Sequence, residues 1–392
     1  MEPPPSNPPI TDRSASGDHA LPHRPLRLLV VMPSWVGDAV MATPSVRAIR
    51  ELLPGSFIGA LVRPGIDELL AGTTLFDEMH VGRASGMMGP KKLAARVRPR
   101  RYDTALLLTN SFSTALITRL AGIPRRIGYE RDGRGVLLTE RLEAKRRRDV
   151  EPYKRSATAP NDWAPVPACE YYFELARHLL RHAGLSPAPT AAPGPMELAA
   201  TADDELGAAE ILERAGIERE QQHRQNLAIL NPGGNDPDKR WPTDRFAQLA
   251  DHLAQAHGMI VLVSGSPAER PIADEICAQC APTTRTVNLP ALGIRLGTLK
   301  GIVRRCKLMV TNDTGPRHIA AAFGVPVVTL FGPTDKRWTT IPFKDEIEID
   351  ADPTLPEEEV ANDHPQRCRV SNIALQDVVN AADTLLSGAT LR

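Results

Sequence analysis

The chain has little with which to build a disulfide framework, a membrane span or a nucleic-acid field. Its five cysteines, at 169, 277, 280, 306 and 368, are an odd number without regular spacing, which argues against disulfide stapling and fits a reducing cytoplasm. Cys277 and Cys280 form one C-x-x-C with no second pair, inside a segment of helical character (DEICAQC), so neither zinc nor redox chemistry is expected there. The longest apolar runs, such as Leu28 to Met32, fall far short of the roughly 18 residues of a membrane span. Net charge is absent as well, with 47 Lys+Arg against 47 Asp+Glu, so no overall field draws the protein to nucleic acid. The G-x-G-x-x-G dinucleotide fingerprint does not occur after the first strand, which disfavours an oxidoreductase, and no short-period repeat suggests a solenoid.

What is present is a long chain with enough apolar residues for two or three cores: 392 residues, 42% hydrophobic. Residues 1–25 are proline-rich, lack the apolar core of a secretory signal, and read as a disordered tail. The balanced charge is unevenly distributed. Residues 1–200 carry 27 basic and 20 acidic side chains (27 − 20 = +7), and residues 201–392 the reverse, so the first half suits an anionic partner or membrane surface. From Leu26, β-rich runs (LRLLVVM, FIGALV, TALLLTN, RRIGY) alternate with amphipathic helical stretches, the rhythm of a parallel α/β sheet. Residues 130–167, with KRRR at 145–148 and four prolines, read as a long surface excursion.

A helical stretch near 170–185 closes a first domain over 26–185, and the proline-rich 186–200 reads as a linker. The rhythm restarts over 201–392: NLAILNPGG, helix 243–257, MIVLVSG, helix 268–280, helix 295–305, KLMVTND, helix 316–324 and VPVVTLFGP. A last helix, near 373–386, could pack on either domain. The expected fold is two doubly wound, Rossmann-like α/β domains facing across a cleft, with ligands at the carboxyl ends of the strands.

Four segments bear chemistry. In MPSWVGDAVMATP, Gly37 permits a tight turn and Asp38 stands at a helix entrance, either as a helix cap or as a general base held near a hydroxyl. In LNPGGNDPDKRWP, Gly233 and Gly234 expose backbone N–H groups while Lys239 and Arg240 add positive charge, the ingredients of a phosphate loop or of a plain charged turn. Asp236 and Asp238 form a D-x-D, but in a proline-containing turn beside Lys239 it is not read as a metal site, and Trp241 is either a lid or a helix anchor. In VTNDTGPRHIAAAFGVPVVTLFGPTD, Asp313 and Thr314 offer capping oxygens, and Gly315 opens a helix whose dipole attracts anions, so Thr314, Gly315 and His318 are candidates for a diphosphate or parts of a capped core helix. In VLVSGSPAER, Glu269 follows a strand, placed to accept ribose hydroxyls or to charge a helix start.

Taken together and in this order, PSWVGDAVMATPSVRAIR, LLLTNSFSTALITRLAGIPRRIGY, NPGG…KRWP, GSPAER and NDTGPRHIAAAFGVPVVTLFGPTD resemble glycosyltransferase family 9, the ADP-heptose:lipopolysaccharide heptosyltransferases, over about residues 26–385. The resemblance implies a GT-B architecture and transfer of a heptose from an ADP-sugar donor, with inversion and without a metal or cofactor. The acceptor it implies is an anionic lipid-linked oligosaccharide at the cytoplasmic face of the inner membrane, approached by a peripheral, monomeric enzyme. By motif position it implies Asp38 as the base, Lys239 at the departing diphosphate, Glu269 on the adenosine ribose and Asp313 on the donor sugar. Thr314, Gly315 and His318 would line the phosphates, with Arg63 and Ser111 facing the acceptor. The chain departs from the family pattern in its proline-rich tail, the 130–167 excursion, the Asp-Pro-Asp before Lys239 and the basic KRWTTIPFKDE segment.

Overall fold

A computed structural model describes residues 25–153, 163–182, 185, 192–217 and 226–388. The apolar runs become the central strands of two sheets, because a strand covered on both faces must be apolar throughout. The first sheet uses β1 (Arg27–Val31), β2 (Phe57–Val62), β3 (Glu78–Val81), β4 (Thr104–Leu107), β5 (Arg125–Tyr129) and β6 (Glu140–Leu142). They lie in the order β3-β2-β1-β4-β5-β6, and every pairing is parallel. Its helices are α1 (Val36–Met41), α2 (Thr43–Leu52), α3 (Ile66–Leu70), α4 (Gly89–Val97), α5 (Phe112–Leu120) and α6 (Ala168–His182).

After α7 (Ala202–Arg214) the same plan recurs. The second sheet comprises β7 (Leu227–Asn231), β8 (Ile260–Val263), β9 (Thr286–Asn288), β10 (Leu308–Asn312), β11 (Val327–Phe331) and β12 (Glu346–Asp350), ordered β12-β11-β10-β7-β8-β9 and again all parallel. Its helices are α8 (Thr243–His257), α9 (Arg270–Gln279), α10 (Leu296–Val303), α11 (Gly315–Ala322) and α12 (Leu375–Leu386). Each sheet therefore reverses direction at its first strand, which opens a ligand crevice beyond the carboxyl ends of β1 and β7.

Three readings of the sequence change. The 130–167 excursion is not all surface loop: its start supplies β6, which pairs with β5 through Ile127, Gly128 and Tyr129. Residues 154–162 of it, the tail before residue 25 and residues 186–191 of the expected linker lie outside the described residues. The described part of that linker, 192–200, is docked, with Met196 and Leu198 buried and the Glu197 amide donating to Thr43 Oγ1 at 2.9 Å. The last helix, α12, packs on the second domain, not the first. Val378, Val379, Ala381 and Ala382 enter the core that lies against β10, β11, β12 and α8.

The domains touch through α1 against α11 and α3 against α10. At the second contact Lys300 is fully buried, donating to the carbonyls of Ala71 and Ala199 at 2.9 Å each and pairing with Asp204 at 3.0 Å. One ammonium thus ties the first domain, the connector and α7 together.

Candidate functional site

The loop after β1 turns directly into α1, and Asp38 is the third residue of that short helix. Trp35 is the N-cap and makes no side-chain cap, so the Asp38 carboxylate is not consumed by capping. Its Oδ1 instead accepts a hydrogen bond of 2.8 Å from the buried Tyr172 hydroxyl on α6. Burial raises the Asp38 pKa, the Tyr172 hydrogen bond opposes the rise, and the nearby Asp313 charge adds to it.

Close approach of α1 to α11 explains two glycines. A Cβ on Gly37 would stand 2.5 Å from His318 Cδ2, and one on Gly315 would stand 2.7 Å from Val36 Cβ. His318 is accordingly buried with its ring against the start of α1 and, among the described residues, no partner for Nδ1, and desolvation together with Arg317 holds its pKa well below the ordinary value. It is a neutral packing element at the edge of the cleft. Asp313 follows β10 and is held by Arg317, a fully buried guanidinium that also pairs with Glu346 and Glu348. Burial nevertheless raises the Asp313 pKa, with Arg317 and Lys239 pulling it down.

On the second domain, the loop after β7 is fixed by side chains that leave Lys239 free. Asn312 donates to the carbonyls of Pro232 and Gly233, and Arg240 Nε donates to the Gly234 carbonyl at 2.7 Å. Asp236 accepts from the Asp238 amide, and Asp238 pairs with Arg369 at 3.4 Å, so both members of the D-x-D are engaged within the protein. Trp241 is the helix anchor: it is buried, stacked edge-on with Phe246, and donates Nε1–H to the Ile373 carbonyl. Among the described residues the Lys239 ammonium has no ion-pair partner. Glu269 works as a strut, accepting from the amides of Gly234 at 3.0 Å and Ser266 at 2.7 Å. Thr314 begins α11, but its hydroxyl accepts from Asn231 Nδ2 instead of capping the helix.

These residues enclose two cavities that meet at Asp38. One, of about 760 Å³, is lined by Asp38, Lys239, Glu269, Asp313, Thr314, Gly315 and His318. The other, of about 470 Å³, lies wholly in the first domain and is lined by Asp38, Arg63, Ser111 and Tyr172. There Ser111 caps α5, its hydroxyl accepting from the Thr114 amide, and Arg63 is exposed at the rim. A third, smaller cavity of about 210 Å³ also reaches Asp38 and is lined by Arg131, Lys145, Trp163 and Trp338.

Sequence reasoning missed Tyr172 and this third cavity. Tyr172 lies in EYYFELARHLL, where an aromatic at helical spacing reads as core, and only the tertiary fold brings it to a carboxylate 134 positions away. Trp163 is held by two guanidinium groups, Arg131 and Arg146, each 4.4 Å from its ring. The basic run was visible in the sequence, but its contact with a tryptophan was not.

Two all-parallel sheets facing across a cleft, with a carboxylate from one domain and a cationic loop from the other at its centre, define a GT-B glycosyltransferase. The chain belongs to glycosyltransferase family 9 (heptosyltransferase), whose model matches residues 91–363. It is 29% identical over 331 residues to lipopolysaccharide heptosyltransferase 2 of Escherichia coli K12, covering 80% of this chain and 85% of that one. Lipooligosaccharide heptosyltransferase 2 of Haemophilus influenzae is 25% identical over 319 residues, with 80% and 85% covered. The solved structure of the E. coli ADP-heptose LPS heptosyltransferase II superposes with a TM-score of 0.70 at 26% identity, covering 93% of this chain and 99% of that one.

Proposed function

We propose that this protein transfers a heptose from ADP-heptose to a lipopolysaccharide core acceptor, with inversion and without a metal ion. The observation that carries the reading is that Asp38 is the one ionisable residue shared by the wall of the first-domain cavity, with Arg63 and Ser111, and the wall of the interdomain cavity, with Lys239 and Asp313. A base for the acceptor hydroxyl must stand where that hydroxyl meets the donor sugar, at the junction of the two cavities.

In this scheme the acceptor oxygen attacks the anomeric carbon while its proton passes to the Asp38 carboxylate. The bond from the anomeric carbon to the diphosphate oxygen breaks, and its electron pair leaves on ADP. Negative charge then grows on the diphosphate, where the Lys239 ammonium and the backbone N–H groups of Gly233 and the α11 start stabilise the transition state more than the ground state. Asp313, oriented by Arg317, holds the donor sugar, and Glu269 is placed at the ribose end. The raised pKa of Asp38 suits a base that must take and later release a proton.

The acceptor side is the first domain, which holds the basic excess of the sequence, in keeping with an anionic lipid-linked glycan presented at the cytoplasmic face of the inner membrane. This reading takes the membrane contact to be peripheral, and no helix among the described residues is long and apolar enough to cross a membrane. The test is ADP release by the full chain supplied with ADP-heptose and heptose-deficient core acceptors, alongside thermal stabilisation by ADP, UDP and GDP sugars. Turnover and stabilisation confined to the ADP series are expected. Preference for UDP or GDP would reject the sugar nucleotide, and absence of turnover with every acceptor would reject the reaction.

A further inference from the structure

On the face of the second domain formed by α8 and α12, three side chains converge that the transfer reaction does not use. His252 and His257 of α8 both present Nε2 to one oxygen of Asp383 on α12, at 2.8 and 2.6 Å. All three ligand atoms lie within 4.8 Å of one another, and all three residues are partly exposed, so an ion can reach them. None of them lines a cavity that reaches Asp38.

We propose that His252, His257 and Asp383 form a binding site for a divalent late transition ion, with Zn²⁺ as the representative, that clamps the last helix to α8. Zinc takes imidazole nitrogen at about 2.0–2.1 Å and carboxylate oxygen at about 2.0–2.2 Å in a tetrahedron, which sets neighbouring ligand atoms roughly 3.3 Å apart. The two histidine–carboxylate separations of 2.8 and 2.6 Å need to open by about 0.5–0.7 Å to admit the ion, and the two imidazole nitrogens lie within 4.8 Å of each other. Without metal, a carboxylate only accepts, so each imidazole carries its proton on Nε2. On binding, each moves that proton to Nδ1 and gives the Nε2 lone pair to the metal, with water as the fourth ligand. The ligand set of two imidazoles and one carboxylate is one that zinc favours over magnesium or calcium.

A second cluster on the protein, Glu140, His178 and His182, sharpens the choice. Its carboxylate is already gripped by Arg125 through both oxygens, at 2.5 and 3.0 Å, which holds the Glu140 pKa down to about 2. A cation there would have to displace a guanidinium. Among the described residues Asp383 has no such competitor: the groups that lower its pKa are the two histidines themselves.

The experiment is isothermal titration of Zn²⁺ into the EDTA-stripped full-length chain, repeated on four variants. One saturable ion per chain is expected, with affinity falling at least about tenfold in His257→Gln and lost in His252→Gln/His257→Gln, but kept in Cys277→Ser/Cys280→Ser and in His178→Gln. Absence of saturable binding, or binding that survives the double histidine variant, would overturn the site. Co²⁺ added to the unmutated chain gives a readout that no variant need fold for: ligand-field bands of a four-coordinate nitrogen and oxygen site support it. Thiolate charge-transfer bands, or an unchanged hexaaquo spectrum, refute it.

Discussion

The Tyr172 hydroxyl donates a 2.8 Å hydrogen bond to Asp38 Oδ1 at the junction of the two cavities, and among the described side chains it is the one hydrogen-bonded to that carboxylate. It holds the carboxylate in place from a helix that the donor cavity does not reach. Removing the base itself should therefore separate chemistry from binding. Asp38→Asn is expected to lower kcat by about 10² or more, in the range of general acid–base effects, while ADP affinity stays within a few-fold. Unchanged kcat in that variant would remove Asp38 from the reaction.

The same pair fixes a pH dependence. Burial raises the Asp38 pKa and the Tyr172 hydrogen bond lowers it, so Tyr172→Phe leaves only raising influences from these neighbours. A base works when deprotonated, so activity rises with pH through its pKa. The acidic limb of kcat/KM in Tyr172→Phe should accordingly move to higher pH than in the parent, with the plateau largely regained at alkaline pH. A loss of equal size at every pH would mean that Tyr172 serves packing alone.

Lys239 brings its charge to the cleft from a loop in which Asp236, Asp238 and Arg240 are already engaged. Lys239→Ala should weaken ADP-heptose binding and also lower kcat, together by about 10²–10³ in kcat/KM, the scale of losing one electrostatic donor to a leaving group. Equal donor affinity in both proteins, measured by titration calorimetry, would move Lys239 out of the diphosphate site.

Much of this was legible in the sequence, and what was missed has a physical pattern. The central strands β1, β4, β7, β10 and β11 are apolar because they are covered on both faces, and their runs stand out. The strands that escaped notice, β3, β6, β9 and β12, are sheet edges with half-exposed polar residues such as EMHV, ERL, TVN and EIEID. The segments gathered at the cleft follow strands and carry Gly, Asp and Lys at fixed offsets, so they could be named. Tyr172 and the buried ring of His318 could not, because their roles arise from packing between segments remote in sequence.

Gly37 tests how tightly the domains are set against each other. Its φ is not positive, so alanine costs space rather than backbone strain. The added methyl would meet the His318 ring at 2.5 Å, and that buried ring has little room to retreat. Overpacking of about 1–3 kcal/mol is expected for Gly37→Ala, together with lost turnover, because α1 carries Asp38. His318→Ala in the same chain should relieve part of the cost, with a coupling energy of about 0.5–3 kcal/mol in a double-mutant cycle of urea unfolding. Strict additivity would show that the two helices separate freely.

A second interdomain contact rests on Lys300, which is buried so deeply that desolvation lowers its pKa despite the Asp204 partner. That direction says that burial costs the ammonium more than the carboxylate returns, so what Lys300 contributes lies in the groups it joins. Lys300→Met keeps most of the stem but strands the carbonyls of Ala71 and Ala199 without a donor and leaves Asp204 without its cation. Each unsatisfied buried acceptor costs about 1–3 kcal/mol. A loss of about 3 kcal/mol in unfolding free energy is expected. Asp204→Asn should cost less, since an amide oxygen can still accept from the Thr201 amide that Asp204 now caps. If Lys300→Met changed stability by under about 0.5 kcal/mol, the range of ordinary surface substitutions, the three groups would not form a single tie between the domains.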